Sequence, residues 1–168
     1  LAGIVPGIEA GENSLASSLN NQNPVAHVPS YLLNAAEARR SEPVTPDAAR
    51  GGAFYLEDYS SGEVLRLRAA VDDERMQVMR ALGLGDHVIA RPDFSLKCYG
   101  PGTREAVSPR MGRTFSRRFL TEDVPYGLVP IERLAGQSGV NTPVISATIT
   151  LAGVLESHDW RGHCNGGA

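Results

Sequence analysis

The segment from Pro143 to Glu156 constrains the fold more than any other part of the sequence, because it is apolar nearly all round at helical length. Thr142 is a suitable N-cap, and a proline at the first helical position already has the backbone geometry of a helix start. A helix without a polar face has to be covered by other elements. We therefore expect this helix to be central in the fold, and a subunit interface is the other environment that would suit it.

Helical signals also dominate the first half of the chain. Ser30 is expected to cap a helix from Tyr31 to Arg39, which carries an apolar face of leucines and alanines. A second helix is expected from Glu63 to Leu82, with a break near Val71-Asp72. Gly83 is a natural residue for the end of that helix, because glycine adopts the left-handed conformation at little cost.

The remaining signals complete a mainly α-helical reading. The acidic run Asp72-Asp73-Glu74 would stand at the start of the second half of the broken helix, where the helix dipole favours anions. A short helix is expected from Ile131 to Gln137, ending near Gly139. Strand signals are few, and Phe54-Tyr55-Leu56 is a short candidate. The fold class expected is therefore mainly α, a helical bundle-like domain.

Composition excludes several classes of partner. A net charge of −3 gives no strong attraction to nucleic acid or to anionic membranes. No apolar run approaches the ~20 residues of a membrane span. The segment Leu1 to Gly7 lacks the basic flank of a signal peptide, so a cytoplasmic location is expected. Cys98 and Cys164 are expected to be reduced thiols in that compartment.

The first group of residues that could carry chemistry is Ser18 to Pro29, where asparagines and His27 crowd in before a helix. Amide side chains can donate to and accept from a polar ligand, and a histidine can move a proton near neutral pH. Capping and turn formation, which asparagine also favours, is the alternative reading.

The second group is Arg117 to Pro130, where two arginines precede the acidic pair Glu122-Asp123 and a run rich in proline and glycine. The guanidinium of Arg118 presents a planar fork that matches a carboxylate bidentately. Asp123 could hold a histidine in one tautomer, as the third group of a catalytic triad does. A local Arg–Asp salt bridge at a turn is the competing interpretation.

Two further groups do not indicate a metal or a dinucleotide site. The cluster His158 to Cys164 has no partner pair of ligands elsewhere, so zinc is not expected. His87 beside Asp86 is expected in a surface loop. The nearest match to a G-x-G-x-x-G turn is Gly83 to Val88, which lacks the third glycine and follows a helix rather than a strand.

Several segments, in order along the chain, resemble the C-terminal helical domain of the octopine/nopaline (opine) dehydrogenases. That domain is similar in class to the C-terminal domain of 6-phosphogluconate dehydrogenase. The resemblance places a lead-in at 1–8, the helical domain at 9–164 and a tail at 165–168. It is carried by Glu12-Asn13-Ser14-Leu15, Ser18 to His27, Leu32-Leu33-Asn34-Ala35, Asp72 to Arg75, Ala81 to Leu84, Arg118 to Pro130, Thr142-Pro143 and Asp159-Trp160.

The resemblance implies an activity and a role for individual residues. Opine dehydrogenases condense an amino acid with a 2-keto acid and reduce the imine with NADH or NADPH. By position, His27 would be the acid/base, Asp123 its orienting partner and Arg118 the clamp for a substrate carboxylate. Asn23 would contact substrate or cofactor, and Asn34 would be a further substrate contact. The pairing of His27 with Asp123 is implied by the resemblance, since the two are distant in sequence.

The resemblance also implies a missing part. The family's N-terminal Rossmann domain binds the nicotinamide, and this chain shows no such motif, so no cofactor is expected to bind to it alone. A Rossmann-domain subunit is the implied partner, and a carboxylated small molecule the implied substrate. Two alternatives stay open: a cofactor-independent condensing, cyclising, isomerising or lyase enzyme that reuses the His-Asp-Arg site, and a non-catalytic helical module for homodimerisation or ligand binding.

Overall fold

The computed structural model describes residues 13–40, 60–91 and 116–163. Within those ranges it is helical and contains no β-strand, which confirms the mainly α-helical fold class. A 3₁₀ turn at Gly85–His87 follows the longest helix, and a π-helical turn occupies Val124–Leu128. The α-helices are α1 Ser14–Leu19, α2 Asn23–Leu33, α3 Ala35–Arg40, α4 Gly62–Ala81, α5 Arg118–Thr121, α6 Val129–Ser138, α7 Pro143–Glu156 and α8 Trp160–His163.

Helices α2 and α4 form the centre of the described chain. Arg68 of α4 donates to the hydroxyl of Ser30 at one end of the pair, with Nε at 3.1 Å. Arg75 of α4 reaches Asn20, just before α2, at the other end. The two helices therefore run in opposite directions with their apolar faces together. Buried apolar residues around them include Val25, Val28 and Tyr31 in α2, Val71, Val78 and Met79 in α4, Leu120 in α5, Ile131 in α6, and Ile145 and Ile149 in α7.

Two predicted boundaries in this pair were wrong. Ser30 lies inside α2 rather than at a helix start, and its hydroxyl donates to the carbonyl of Ala26 one turn back. Helix α4 continues unbroken through Val71 and Asp72, because Val71 is fully buried and Asp72 pairs with Arg75 within the same helix. Burial of Val71 and an ion pair within the helix thus keep this stretch helical, although the sequence pattern predicted a break.

Glu74 has a different role from the one that the sequence indicated. It lies within α4, and its carboxylate accepts hydrogen bonds from the backbone amides of Val144 and Ile145 at 2.9 and 2.8 Å. These amides belong to the first turn of α7, where helical donors have no partner inside the helix. The predicted start at Pro143 is confirmed, but the side chain of Thr142 makes no capping bond. The cap comes from a residue seventy positions earlier.

The sequence predicted that helix α7 is central, but the described helices cover it on one face only. Ile145, Ile149 and Ala152 are buried at helical spacing against the core. On the other side, Leu151 and Val154 are 55% and 72% exposed. The helix is apolar on both faces, but the described helices pack against one of them.

A buried arginine fixes the segment that leads into α2. Arg75 is fully buried and pairs with Asp72 at 2.7 Å. Its guanidinium also donates to the carbonyls of Leu19 and Ile89 and to the side chain of Asn20. A buried guanidinium is tolerated when its donors are satisfied in this way. The network therefore holds the end of α1 and residues near 89 against α4, which supports the start of α2.

Helix ends marked by glycine are as predicted. Gly83 and Gly139 have φ values of 75° and 72°, in the left-handed region that glycine adopts readily. They follow α4 and α6, and α6 extends the expected 131–137 helix to Val129–Ser138. His87 ends the 3₁₀ turn after α4. The candidate strand at 54–56 and both cysteines lie outside the described residues.

Among these helices, none combines the length and the apolar character that crossing a membrane requires. The cytoplasmic location and the domain limits stay predictions.

Candidate active site

Pro125 determines the backbone on one side of the candidate site. It has no N–H to donate to the carbonyl of Thr121, and its ring would crowd that carbonyl, so α5 ends at Thr121. The chain continues as a π-helical turn, Val124–Leu128, before α6 begins at Val129. Such turns often occur at functional sites. Asp123 is the residue immediately before this turn, so the change from α5 to the π-helical turn determines the orientation of its carboxylate.

The structure brings His27 and Asp123 together. His27 lies on α2, and its Nδ1 is 2.8 Å from Oδ2 of Asp123, across a sequence separation of 96 residues. Both side chains are largely buried, with exposures of 11% and 13%. A carboxylate accepts only, so Nδ1 carries the proton in this hydrogen bond. The lone pair of the neutral imidazole then belongs to Nε2, and this is the arrangement of a general acid/base held by an acid.

Phe119 holds the imidazole from a second direction. Its ring stacks on His27 with centroids 4.0 Å apart and planes 11° from parallel. Stacking fixes the ring plane, while the hydrogen bond to Asp123 fixes the rotation within it. Together these two contacts hold the imidazole, and with it Nε2, in one orientation.

Arg118 lies at the same site, but its guanidinium already holds a carboxylate. Its Nε and Nη2 donate to the two carboxylate oxygens of Glu122, at 2.6 and 2.9 Å. These hydrogen bonds hold the pKa of Glu122 below its ordinary value and raise that of Arg118. The local salt bridge therefore exists, with Glu122 rather than Asp123 as the partner. The guanidinium of Arg118 thus binds a carboxylate in the bidentate manner, through two N–H donors.

The two asparagines differ in position. Asn23 is the first residue of α2, one turn before His27, and it lines the cavity described below. Asn34 follows α2, two turns after His27, and its side chain donates to the carbonyl of Ser30 at 2.9 Å. It does not line that cavity. Asn34 is thus placed as a helix-end residue, and its predicted contact with substrate stays a prediction.

A small cavity lies over the imidazole. It has a volume of about 170 Å³, room for the reacting part of a small organic acid rather than for a large ligand. Its lining places the hydrogen-bonded His27–Asp123 pair, a guanidinium and an amide around one space. The lining residues are Asn23, His27, Ser116, Arg118, Phe119, Glu122 and Asp123.

Sequence reasoning missed Phe119 and Glu122 as members of this site. Glu122 could have been found from its spacing, since residues four apart on a helix lie side by side. Phe119 gave no such signal, because its stacking partner lies on a helix distant in sequence.

No metal centre is evident in the parts of the chain that the structure covers. No group of three or more His, Cys, Asp or Glu residues there could hold an ion. His158, singled out in the sequence, packs edge-on against Trp160, with ring centroids 4.3 Å apart.

Comparison with known proteins decides the family. The family model described as NAD/NADP octopine/nopaline dehydrogenase, alpha-helical domain, matches residues 10–155. The chain belongs to the octopine/nopaline dehydrogenase family. The resemblance seen in the sequence motifs is thereby confirmed.

Two curated relatives agree with this assignment. Opine dehydrogenase from Arthrobacter sp. (strain 1C) is 30% identical over 171 residues, covering 96% of this chain and 45% of the relative. Vitopine synthase from Allorhizobium ampelinum (strain ATCC BAA-846 / DSM 112012 / S4) is 29% identical over 152 residues, covering 80% of this chain and 37% of that protein. The chain therefore spans less than half the length of these relatives.

The octopine/nopaline dehydrogenase family uses NAD or NADP, but the described residues do not fit a dinucleotide by themselves. They contain no strand that could lead into a glycine-rich turn for the pyrophosphate. The cavity of about 170 Å³ is also smaller than the ~300–1,000 Å³ of typical ligand pockets. What these residues do provide is an imidazole, two carboxylates and a guanidinium around one small cavity.

Proposed function

We propose that this chain is the catalytic and substrate-binding part of an opine dehydrogenase-like oxidoreductase. The reaction class is the reductive condensation of an amino acid with a 2-keto acid, with the nicotinamide bound by a separate Rossmann domain. The observation that carries the proposal is the hydrogen bond between His27 and Asp123, 2.8 Å long, which joins two distant parts of the chain inside a cavity.

The role of His27 in this proposal follows from its hydrogen bond. Condensation of an amine with a keto acid needs protons moved to and from nitrogen and oxygen near neutral pH. With Nδ1–H donated to Asp123, the Nε2 atom acts as the base and later returns the proton. Asp123 stabilises the imidazolium that forms in between, without taking the proton itself.

The role of Arg118 follows from its ion pair with the carboxylate of Glu122. Both substrates of such a condensation carry a carboxylate, and a bidentate arginine would fix one of them. Glu122 occupies that fork in the structure. Both side chains of this pair are at least half exposed, and exposed ion pairs are weak. A substrate carboxylate can therefore exchange with Glu122 at small cost.

Complementation with a Rossmann domain tests the proposal. The purified chain is mixed with a separately produced Rossmann domain, an amino acid and a 2-keto acid, and the consumption of NAD(P)H is followed. We expect turnover in the mixture and little in the chain alone. His27→Ala should reduce the rate by about 10²–10⁴-fold, the usual contribution of general acid–base catalysis.

His87→Ala is the matched control, because His87 ends a 3₁₀ turn and does not line the cavity. It should leave the rate unchanged. Full turnover by the isolated chain would show that no separate cofactor domain is needed. A wild-type rate in the His27 variant would remove the proposed acid/base.

A second candidate is an enzyme that catalyses condensation, cyclisation, isomerisation or elimination without a nicotinamide. It is favoured by one observation: the imidazole, the acid and the guanidinium of the site all come from this chain. Keto acids and amines incubated with the chain alone would give a product that depends on His27. The absence of product from wild-type chain, or product unaffected by His27→Ala, would rule this candidate out.

A further inference from the structure

A close contact between the backbone of one residue and the ring of a proline lies one helical turn away from the His27–Asp123 hydrogen bond. Gly127, in the π-helical turn, faces Pro24 at the start of α2. A Cβ atom at position 127 would lie 2.8 Å from Cβ of Pro24 and closer still to its Cγ. Real Cβ contacts do not become so short, so a side chain at this position would push the two elements apart.

The conformation of Gly127 does not explain the glycine. Positive φ angles occur at Gly83 and Gly139 among the described glycines, and Gly127 is not one of them. It therefore adopts a backbone that an alanine could also adopt, and what the site needs is the absence of a side chain. Glycine allows another group, here the ring of Pro24, to approach its backbone closely, which is its second structural use.

On both elements, the residue in the Pro24–Gly127 contact lies one turn from the residue in the His27–Asp123 hydrogen bond. Pro24 precedes His27 by one turn of α2, and Gly127 follows Asp123 by one turn of the chain that enters α6. A change in the distance between the Pro24 ring and the Gly127 backbone would thus change how close Asp123 comes to the imidazole. We propose that Gly127 is a positioning residue, whose contact with Pro24 holds Asp123 within hydrogen-bond distance of His27.

The stacking of Phe119 on His27 makes the His27–Asp123 distance sensitive to movement of the π-helical turn. If the π-helical turn moved outward, the imidazole would have to tilt to follow Asp123. Its ring lies 4.0 Å from that of Phe119 and nearly parallel to it, so the tilt would break the stack. A displacement at Gly127 therefore lengthens the hydrogen bond instead of being absorbed by the ring. The importance of this distance for turnover rests on the proposed function, whereas the positioning itself can be measured without it.

The test reads the tautomer of His27 in the intact chain. Nitrogen-15 NMR of the imidazole distinguishes Nδ1–H from Nε2–H, and His27→Ala assigns the signal. In the wild type we expect the Nδ1–H form, which Asp123→Asn should abolish. Gly127→Ala should shift the population toward the Asp123→Asn value. Gly136→Ala is the matched control, because a Cβ at Gly136 on α6 meets nothing within 4 Å.

A compensating change separates positioning from general damage. Pro24→Gly combined with Gly127→Ala removes the atoms that clash, so the double variant should recover the Nδ1–H form. A folded Gly127→Ala chain with the wild-type tautomer would overturn the proposal. Failure of the double variant to recover would do the same, because the clash with Pro24 would then not be the cause.

Three further outcomes are distinguishable. If Gly127→Ala does not fold, the tautomer of His27 is measured in the single variant Pro24→Gly instead. This change loosens the contact without a clash, so a mixture of tautomers is expected. An unchanged tautomer in that variant would overturn the proposal. If Asp123→Asn itself leaves the tautomer unchanged, the hydrogen bond is not formed in solution and the proposed function loses its main support. The absence of turnover in the complemented wild type, with all tautomers as expected, would instead contradict the proposed function alone.

Discussion

Two adjacent carboxylates at the site serve two different partners. Asp123 accepts from the imidazole of His27, while Glu122 holds the guanidinium of Arg118. The first pair is largely buried and the second exposed. The buried pair is therefore suited to a fixed geometry, and the exposed pair to an exchange of partners.

Glu122 should compete with substrate for Arg118. We expect Glu122→Gln to lower the KM for a carboxylated substrate in the complemented enzyme by a factor of about two to five, the range typical of exposed ion pairs. The amide keeps the size of the side chain but gives up the charge that occupies the fork. Steady-state kinetics over a range of substrate concentrations measures the effect.

Glu63→Gln is the control, because Glu63 and Arg66 form a similarly exposed pair on α4. It should leave KM unchanged. A higher KM in Glu122→Gln would show that Glu122 orients Arg118 for the substrate rather than competing with it.

At the scale of elements, the start of α7 depends on a residue of another helix. The sequence signal Thr142-Pro143 predicted where the helix begins, and the structure agrees. What caps it could not be predicted locally, because the carboxylate of Glu74 comes from α4. The link therefore ties helix α7 to the centre of the fold through hydrogen bonds as well as through apolar contacts.

Removal of this cap should destabilise the protein. Glu74→Ala leaves two backbone amides of α7 without their acceptor, and we expect a loss of about 2–3 kcal/mol in the free energy of unfolding. Urea denaturation measures it. Thr142→Val is the control, since the Thr142 side chain makes no capping bond, and it should cost less than Glu74→Ala. Equal losses in the two variants would contradict the assignment of the cap.

At the scale of the whole molecule, a charged cluster joins its last three helices. Glu132 of α6 accepts from both Nε and Nη2 of Arg161 in α8, each at 2.7 Å, and from the hydroxyl of Ser146 in α7. The hydrogen bonds from Arg161 are the main cause that lowers the pKa of Glu132 from its ordinary value of 4.5. The C-terminal end of the described chain is thus held by one carboxylate.

The stability of the protein should therefore depend on the charge of Glu132. Because its pKa is lower in the folded than in the unfolded chain, the ionised form contributes stability above pH 4.5, and this is lost as the pH falls through the folded value. We expect Glu132→Gln to cost about 1 kcal/mol at pH 7 and much less in acid. Urea denaturation at both pH values measures the difference. A cost independent of pH would show that packing, not charge, explains the effect.

The sequence predicted the parts of this molecule that depend on local pattern or on family likeness. The helical class, the boundaries marked by glycine and the Pro143 start follow from residues close together in the chain. The meeting of His27 with Asp123 came from the resemblance, because no spacing rule relates positions 96 residues apart. The exposed face of α7 and the Pro24–Gly127 contact depend on which helices pack together, which a single sequence does not reveal.

The distance along the chain between His27 and Asp123 has a consequence for the order in which the site is assembled. The acid is the later of the two to be synthesised, so a nascent or truncated polypeptide that stops before it carries an imidazole with no counterpart. The pairing of this histidine with its acid is therefore a reporter of native tertiary structure, and a fragment that keeps its helices but loses their docking should lack the hydrogen bond.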